Sequence, residues 1–219
     1  MRRSTNAVLA TLRRLQGFLD ANRRTAALGL EIVRRRLDYT AAMLETKAAE
    51  REALDRAAKA AAGEIRSLRA RLRTDHMRPI AIAANRWGSP SSAARVLRVP
   101  RDNVSNSRLL AEARGMYRVA RRKLSMLTDV GLRQDVAANL QEMIGTLTQC
   151  LNERRWGSWK KVSVTAELAA AEKDGRALIK LLDALVRPRI RSEVAAVAAW
   201  RAAILIGGKE KEDDEKEAA

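Results

Sequence analysis

Residues Asn22 to His76, NRRTAALGL EIVRRRLDYT AAMLETKAAE REALDRAAKA AAGEIRSLRA RLRTDH, contain no proline and two well-separated glycines, Gly29 and Gly63. A seven-residue repeat runs through them. Leu30, Leu37, Leu44, Arg51, Ala58, Ile65 and Leu72 fall on one position; Val33, Thr40, Lys47, Leu54, Ala61 and Leu68 fall on the other. That spacing predicts the seam of one long helix packed on partner helices. At 1.5 Å per residue, such a helix is roughly 80 Å long. It needs cover from the rest of the chain, a second copy or a partner. The seam is weakest at its middle, where Thr40, Lys47 and Arg51 take core positions and a run of alanines follows.

Working outward, Val8, Leu9, Leu12, Leu15 and Leu19 mark an earlier helical stripe in phase with the long helix. The cluster Asp20-Ala21-Asn22 after Gly17 favours a turn there over one unbroken helix. Pro79 ends or kinks the long helix and pushes Arg78 out of helical geometry. The chain then breaks at Gly88-Ser89-Pro90-Ser91-Ser92 and again at Pro100. Ser107 is the expected N-cap of a helix with the seam Leu110, Ala113, Tyr117, Ala120, Leu124 and Leu127. A turn at Thr128 to Gly131 leads to a helix marked by Val136, Leu140, Met143, Leu147 and Cys150. Residues 155 to 164 read as a basic, tryptophan-bearing loop, with Thr165 capping the next helix through Leu168, Leu178 and Leu185 to Pro188. Ser192 opens a last short helix, and Gly207-Gly208 releases a charged tail that reads as disordered.

The expectation is an all-α fold, an elongated helical bundle built around the long helix at about residues 22–76. Its domains would be 1–78 for the long-helix region, 79–206 for a bundle packed on it, and 207–219 for the tail. Of 219 residues, 40 are Ala, while aromatics make up 3%, which predicts a thin core with closely approaching helices. No alternating β-branched run is long enough for a strand.

Asp75-His76-Met77-Arg78-Pro79-Ile80-Ala81, Val99-Pro100-Arg101, the helix from Leu109 to Ala120, and Leu182-Asp183-Ala184-Leu185-Val186-Arg187-Pro188 with Trp200 carry a resemblance over most of residues 70 to 200. In these the chain resembles a group of uncharacterised bacterial all-helical proteins. The resemblance implies a helical fold and a bacterial source, and brings no activity, cofactor or site residue with it.

The charge is lopsided, with 43 basic against 26 acidic residues and a net +17. Such an excess favours anionic partners by long-range attraction. Residues 86 to 123 hold ten Arg and Lys against Asp102 and Glu112. Within them Arg98, Arg101, Arg114, Arg118, Arg121, Arg122 and Lys123 are candidate anion-binding residues, joined by Arg154, Arg155, Lys160 and Lys161 around Trp156 and Trp159. Arg pairs with phosphate through two parallel N–H groups, and an exposed Trp stacks on a base or sits among lipid headgroups. Large aromatics are usually mostly buried, so the two tryptophans are expected to plug the thin bundle.

Catalytic chemistry finds little support. One His and one Cys do not make a zinc site, no Glu-x-x-His is present, and no Gly-rich phosphate loop occurs. His76, beside Asp75, reads as a cation favoured by a helix C-terminus, and Cys150 as a small core residue. The single cysteine excludes an internal disulfide and suits a reducing cytoplasm. The apolar run after Met1-Arg2-Arg3 is interrupted at Arg13-Arg14 and falls short of a signal h-region, and no stretch is long and apolar enough to span a membrane. The reading is a non-enzymatic, cofactor-free helical interaction protein whose basic surface binds nucleic acid or another polyanion. The alternatives are a scaffold that self-associates through the long helix and a peripheral binder of anionic membranes.

Overall fold

The computed structural model describes residues 3–23, 29–86 and 97–206, and 87% of them are helical with no strand among them. The helices are α1 (Arg3–Ala21), α2 (Glu31–Arg71), α3 (Arg78–Arg86), α4 (Asn106–Arg122), α5 (Leu124–Asp129), α6 (Val136–Ile190) and α7 (Val194–Ile204), and a π turn, Leu72–Met77, joins α2 to α3. Trp87, Arg95, the expected break at residues 88–92 and the charged tail from Gly207 lie outside the described residues.

The chain forms two compact units, one of residues 1–55 with 160–219, the other of residues 56–159. The expected cut between residues 78 and 79 falls inside the second unit, and both boundaries between the units fall within helices, one in α2 and one in α6.

In the first unit, α1 and α2 are separate helices: α1 stops at Ala21, as the Asp20-Ala21-Asn22 cluster suggests. The two are laced at the surface, where Arg34 donates to both oxygens of Asp20 at 2.9 and 3.0 Å and Gln16 donates to Asp38 at 2.6 Å. Beneath lie Val8, Leu12, Leu15 and Leu19 of α1 against Leu37, Ala41, Leu44 and Ala48 of α2, with Leu168, Leu178, Leu182 and Val186 of α6. Gly175 of α6 lets α1 come close, since a Cβ there would lie 2.9 Å from Val8 Cγ1. The core ends on Trp200 of α7, which is 1% exposed, meets Phe18 edge-to-face at 5.0 Å and donates its Nε1–H to Asp183 at 2.8 Å. That bond satisfies the one polar atom of an otherwise apolar side chain.

The second unit packs Ile65 and Leu68 of α2, Leu72 of the π turn, Ile80 of α3, Leu109, Ala113, Met116 and Ala120 of α4, and Leu140, Met143, Leu147 and Cys150 of α6. Arg69 and Arg73 hold the incoming chain. Arg69 donates to the Val104 carbonyl at 2.7 Å, and Arg73 donates to the Pro100 carbonyl and pairs with Asp102, both at 2.5 Å. The N-cap of α4 is Ser105, two residues before the expected Ser107; its hydroxyl accepts the Arg108 N–H at 3.3 Å. Lys123 interrupts the expected single helix, and Gly131, at φ 94°, makes the turn before α6 in a conformation that suits glycine.

Several expected boundaries differ. Pro79 neither ends the helix nor displaces Arg78, which is helical at φ −63° and ψ −43°. The wide turn before it supplies the reason. Arg78 N–H bonds the Arg73 carbonyl, five residues back, and this looser winding makes room for the proline ring. Pro188 lies inside the last turn of α6, which ends at Ile190. The expected loop at 155–164 is helix, and Thr165 is a mid-helix residue that donates to the Lys161 carbonyl at 2.6 Å. A single Gly157 without proline is not enough to break a helix that is packed before it, at Cys150, and after it, at Val164. α7 begins at Val194, two residues after the expected start.

Candidate functional site

The weak middle of the seam is a polar layer between α2 and α6 in the first unit. Lys47 pairs with Glu167 at 2.5 Å and Glu50 at 3.2 Å, Lys160 reaches Glu50 at 3.1 Å, and Lys161 pairs with Asp55. Arg51 donates to the Thr165 hydroxyl at 2.7 Å. Hydrogen bonds from Lys160 and Lys47 hold the Glu50 carboxyl below its ordinary value, bonds from Lys47 and Ser163 do the same for Glu167, and Glu167 and Glu50 raise Lys47. Lys160 and Lys161, expected in an anion-binding cluster, are thus committed to the protein's own carboxylates.

The remaining candidates lie in the second unit. On α4 the buried seam Leu109, Ala113, Met116 and Ala120 fixes which side faces water. Arg114, Arg118 and Arg121 fall at i, i+4 and i+7 on the exposed side, with Arg122 and the capping Lys123 beside them. All five are exposed, and none has an ion pair with another described residue, whereas Arg108 on the same helix pairs with Glu112 at 2.9 Å. The last three sit at the helix C-terminus, where the backbone dipole favours cations. Arg114 and Arg118 are mid-helix and have no such local reason. Arg98 and Arg101 are exposed in the segment before α4, and Arg154 and Arg155 are exposed on α6.

The two tryptophans are exposed, not plugs. Trp156 is 67% and Trp159 57% exposed, and their rings meet edge-to-face at 5.0 Å. They fall off the seam formed by Leu140, Leu147 and Cys150, so the helix that replaces the expected loop turns them outward. Beside them an open groove of about 590 Å³ runs between α4 and α6. Arg114 and Tyr117 line it from α4; Gln141, Ile144, Gly145, Thr148 and Trp156 are among its lining on α6. Arg114 reaches across it to the Thr148 hydroxyl at 3.4 Å. A Cβ on Gly145 would meet nothing within 4 Å, so the floor there is open. Glu153, the lining carboxylate, accepts from Gln149 at 2.9 Å. Sequence reasoning missed the α6 wall because it depends on the helix continuing through residue 156. Once that is granted, Gln141, Gly145, Gln149, Asn152 and Trp156 recur at helical spacing on one side.

His76 is in the π turn, not at a helix end. Burial pulls its pKa below 6.5 against the attraction of Asp75, contrary to the expected cation. Cys150 is buried, and its thiol is pushed above 9.0 by burial and by Glu64 and Glu153, which suits a core residue. Among the described residues no group of three His, Cys, Asp or Glu could hold a metal ion, and no helix is long and apolar enough to cross a membrane. Comparison with protein-family models, with curated proteins and with solved structures found no match.

Proposed function

We propose that this is a non-enzymatic interaction protein whose α4 surface binds a polyanion, with nucleic acid as the partner. The observation that carries this reading is the set of exposed cations Arg114, Arg118, Arg121, Arg122 and Lys123, none with an ion pair among the described residues. Elsewhere the arginines and lysines that approach carboxylates are paired with them, as Arg13 is with Glu45 and Lys47 with Glu167. Guanidinium groups four residues apart with no carboxylate partner among the described residues keep N–H donors for phosphate oxygens, Arg114 spending one on the Thr148 hydroxyl. A cytoplasmic setting is part of the proposal, since it offers nucleic acid and keeps Cys150 reduced.

The test is a salt titration of binding to a labelled DNA duplex, with anionic vesicles in parallel. Binding should weaken with salt along a slope of about −0.9 per phosphate engaged. Changing Arg121, Arg122 and Lys123 together to Glu should abolish it. A salt-independent interaction, or one with vesicles only, would overturn the reading.

Self-association through α2 is a second reading, favoured by Ile32 and Tyr39, which are 76% and 66% exposed and seven residues apart on one side of that helix. Sedimentation of the protein alone distinguishes it, because it requires a dimer or larger without any ligand.

A further inference from the structure

We propose that the groove between α4 and α6 takes single-stranded nucleic acid, with bases against its aromatic wall and phosphates on the α4 arginines. This rests on the polyanion reading and narrows it.

Trp156 and Trp159 carry the argument. Two large indoles more than half exposed on one helix are a liability unless something covers them. Their edge-to-face contact holds them to one another and keeps their remaining faces toward solvent. Trp156 also lines the groove, with Tyr117 on the opposite wall, so flat apolar surfaces and a cation, Arg114, share one recess. An aromatic wall beside arginines is the chemistry that holds a strand whose bases are unstacked, because every base offers a π-face whatever its sequence. In a duplex those faces are already covered by neighbouring bases, so a duplex gains only the phosphate contacts.

Glu153 is the lining carboxylate and accepts from Gln149, so the strand's phosphates belong on the α4 side of the groove, away from it; the amides of the lining suit bases. Gln141, Gln149 and Asn152 carry amide donors and acceptors that suit base edges. Amides on this wall suit acyl chains poorly, which favours nucleic acid over a lipid surface. Gly145 leaves the floor free of a side chain, and a Cβ there would meet nothing within 4 Å, so only a larger side chain would fill it. From Gln141 to Trp156 the wall runs roughly 22 Å along α6 at 1.5 Å per residue, and Arg118 continues the cationic stripe one helical turn beyond Arg114.

The experiment measures fluorescence anisotropy of the full-length protein with labelled oligothymidylate, with a duplex of the same length, and with phosphatidylserine vesicles, using inorganic polyphosphate as competitor. The expected result is a preference of about tenfold or more for the single strand over the duplex, the scale of one or two stacked bases. Trp156→Ala should lower single-strand affinity by about tenfold and leave the duplex and the salt slope unchanged, since it removes stacking and no charge. Gly145→Leu should do the same by filling the groove. Both positions are exposed, so circular dichroism should show helix content unchanged in each. Equal affinity for single strand, duplex and polyphosphate, unaltered by either variant, would overturn the groove assignment and leave the polyanion reading standing. Binding to none of these, or to vesicles alone, would overturn both.

Discussion

Single glycines in helices have opposite effects in this chain, depending on what a Cβ would meet. Gly145 and Gly175 are both interior to α6, where glycine costs about 0.5–1 kcal/mol relative to alanine. At Gly145 the added methyl enters open space, so Gly145→Ala should stabilise the protein by about that amount. At Gly175 it would lie 2.9 Å from Val8 Cγ1 and 3.4 Å from Leu12 Cδ1. Val8 is fully buried and stiff at χ1, so it does not give way easily. Gly175→Ala should therefore destabilise by about 1–3 kcal/mol. Urea denaturation of both variants checks the pair, and equal shifts would contradict the close approach of α1 to α6. Trp200 and Trp156 make the same point about context. One is enclosed between Phe18 and Asp183, while the other looks into a groove, and nothing in the residue type distinguishes them.

At the scale of the element, the layer between α2 and α6 replaces apolar packing with charge. Lys47, Glu50 and Asp55 meet Lys160, Lys161 and Glu167 where the heptad positions turn polar. These pairs are solvent-screened, and each contributes modestly. Their pH dependence has a definite sign. Glu50 and Glu167 are held below their ordinary 4.5, so the unfolded chain binds more protons than the folded one below that pH. The stabilisation is complete above pH 4.5 and is lost as pH falls through the folded values. Glu167→Gln should flatten the fall in the urea midpoint between pH 5 and pH 3 without altering the far-UV spectrum. An unchanged acid profile would mean that these pairs do not differ between folded and unfolded chains. The π turn before Pro79 is another element-level adjustment. It inserts one residue's worth of slack where an ordinary turn would drive the proline ring into the carbonyl of Asp75.

For the molecule as a whole, each unit has its own apolar cluster, Leu44 belonging to one and Met116 to the other. Both side chains are fully buried, so Leu44→Ala and Met116→Ala should each cost about 2–5 kcal/mol. Because the two residues share no cluster, the costs should add to within about 0.5 kcal/mol in the double variant. Chemical denaturation of the three proteins measures this. The all-α class and the long seam were legible because heptad spacing and alanine content are local properties. Leu37, Leu44, Ile65 and Leu72 are buried as that spacing requires, whereas Ala58 on the same seam is exposed and the helix begins at Glu31, after Gly29 at φ 73°, not near residue 22. The 55-residue helix α6 was not legible at residues 155–164. Its support there comes from Glu50 and Asp55, more than a hundred positions away, and sequence periodicity does not report such partners. The exposure of Trp156 and Trp159 was not legible for the same reason, since a loop can fold a tryptophan inward whereas a continuous helix fixes its direction. The cationic side of α4 was visible as composition; that Arg108 pairs with Glu112 on the same helix while Arg114 and Arg118 have no ion pair among the described residues was not.

The division of the chain also orders its synthesis. Residues 56–159 are one uninterrupted stretch, whereas the first unit needs residues from both ends of the sequence. On the ribosome the last residue of the inner unit is made, and emerges, before the second half of α6 and α7, and domains fold as units during synthesis. The N-terminal helices must then wait, with Val8, Leu12, Leu37 and Leu44 uncovered, until Leu178, Leu182 and Trp200 arrive. The hydroxyl of Thr11 and the guanidinium of Arg14 accordingly close on the Leu205 carbonyl among the latest contacts made, across 194 and 191 positions of chain. In the cell, the interval before that closure is when this protein is most exposed to aggregation and to chaperones, and slowing translation after residue 160 would lengthen it.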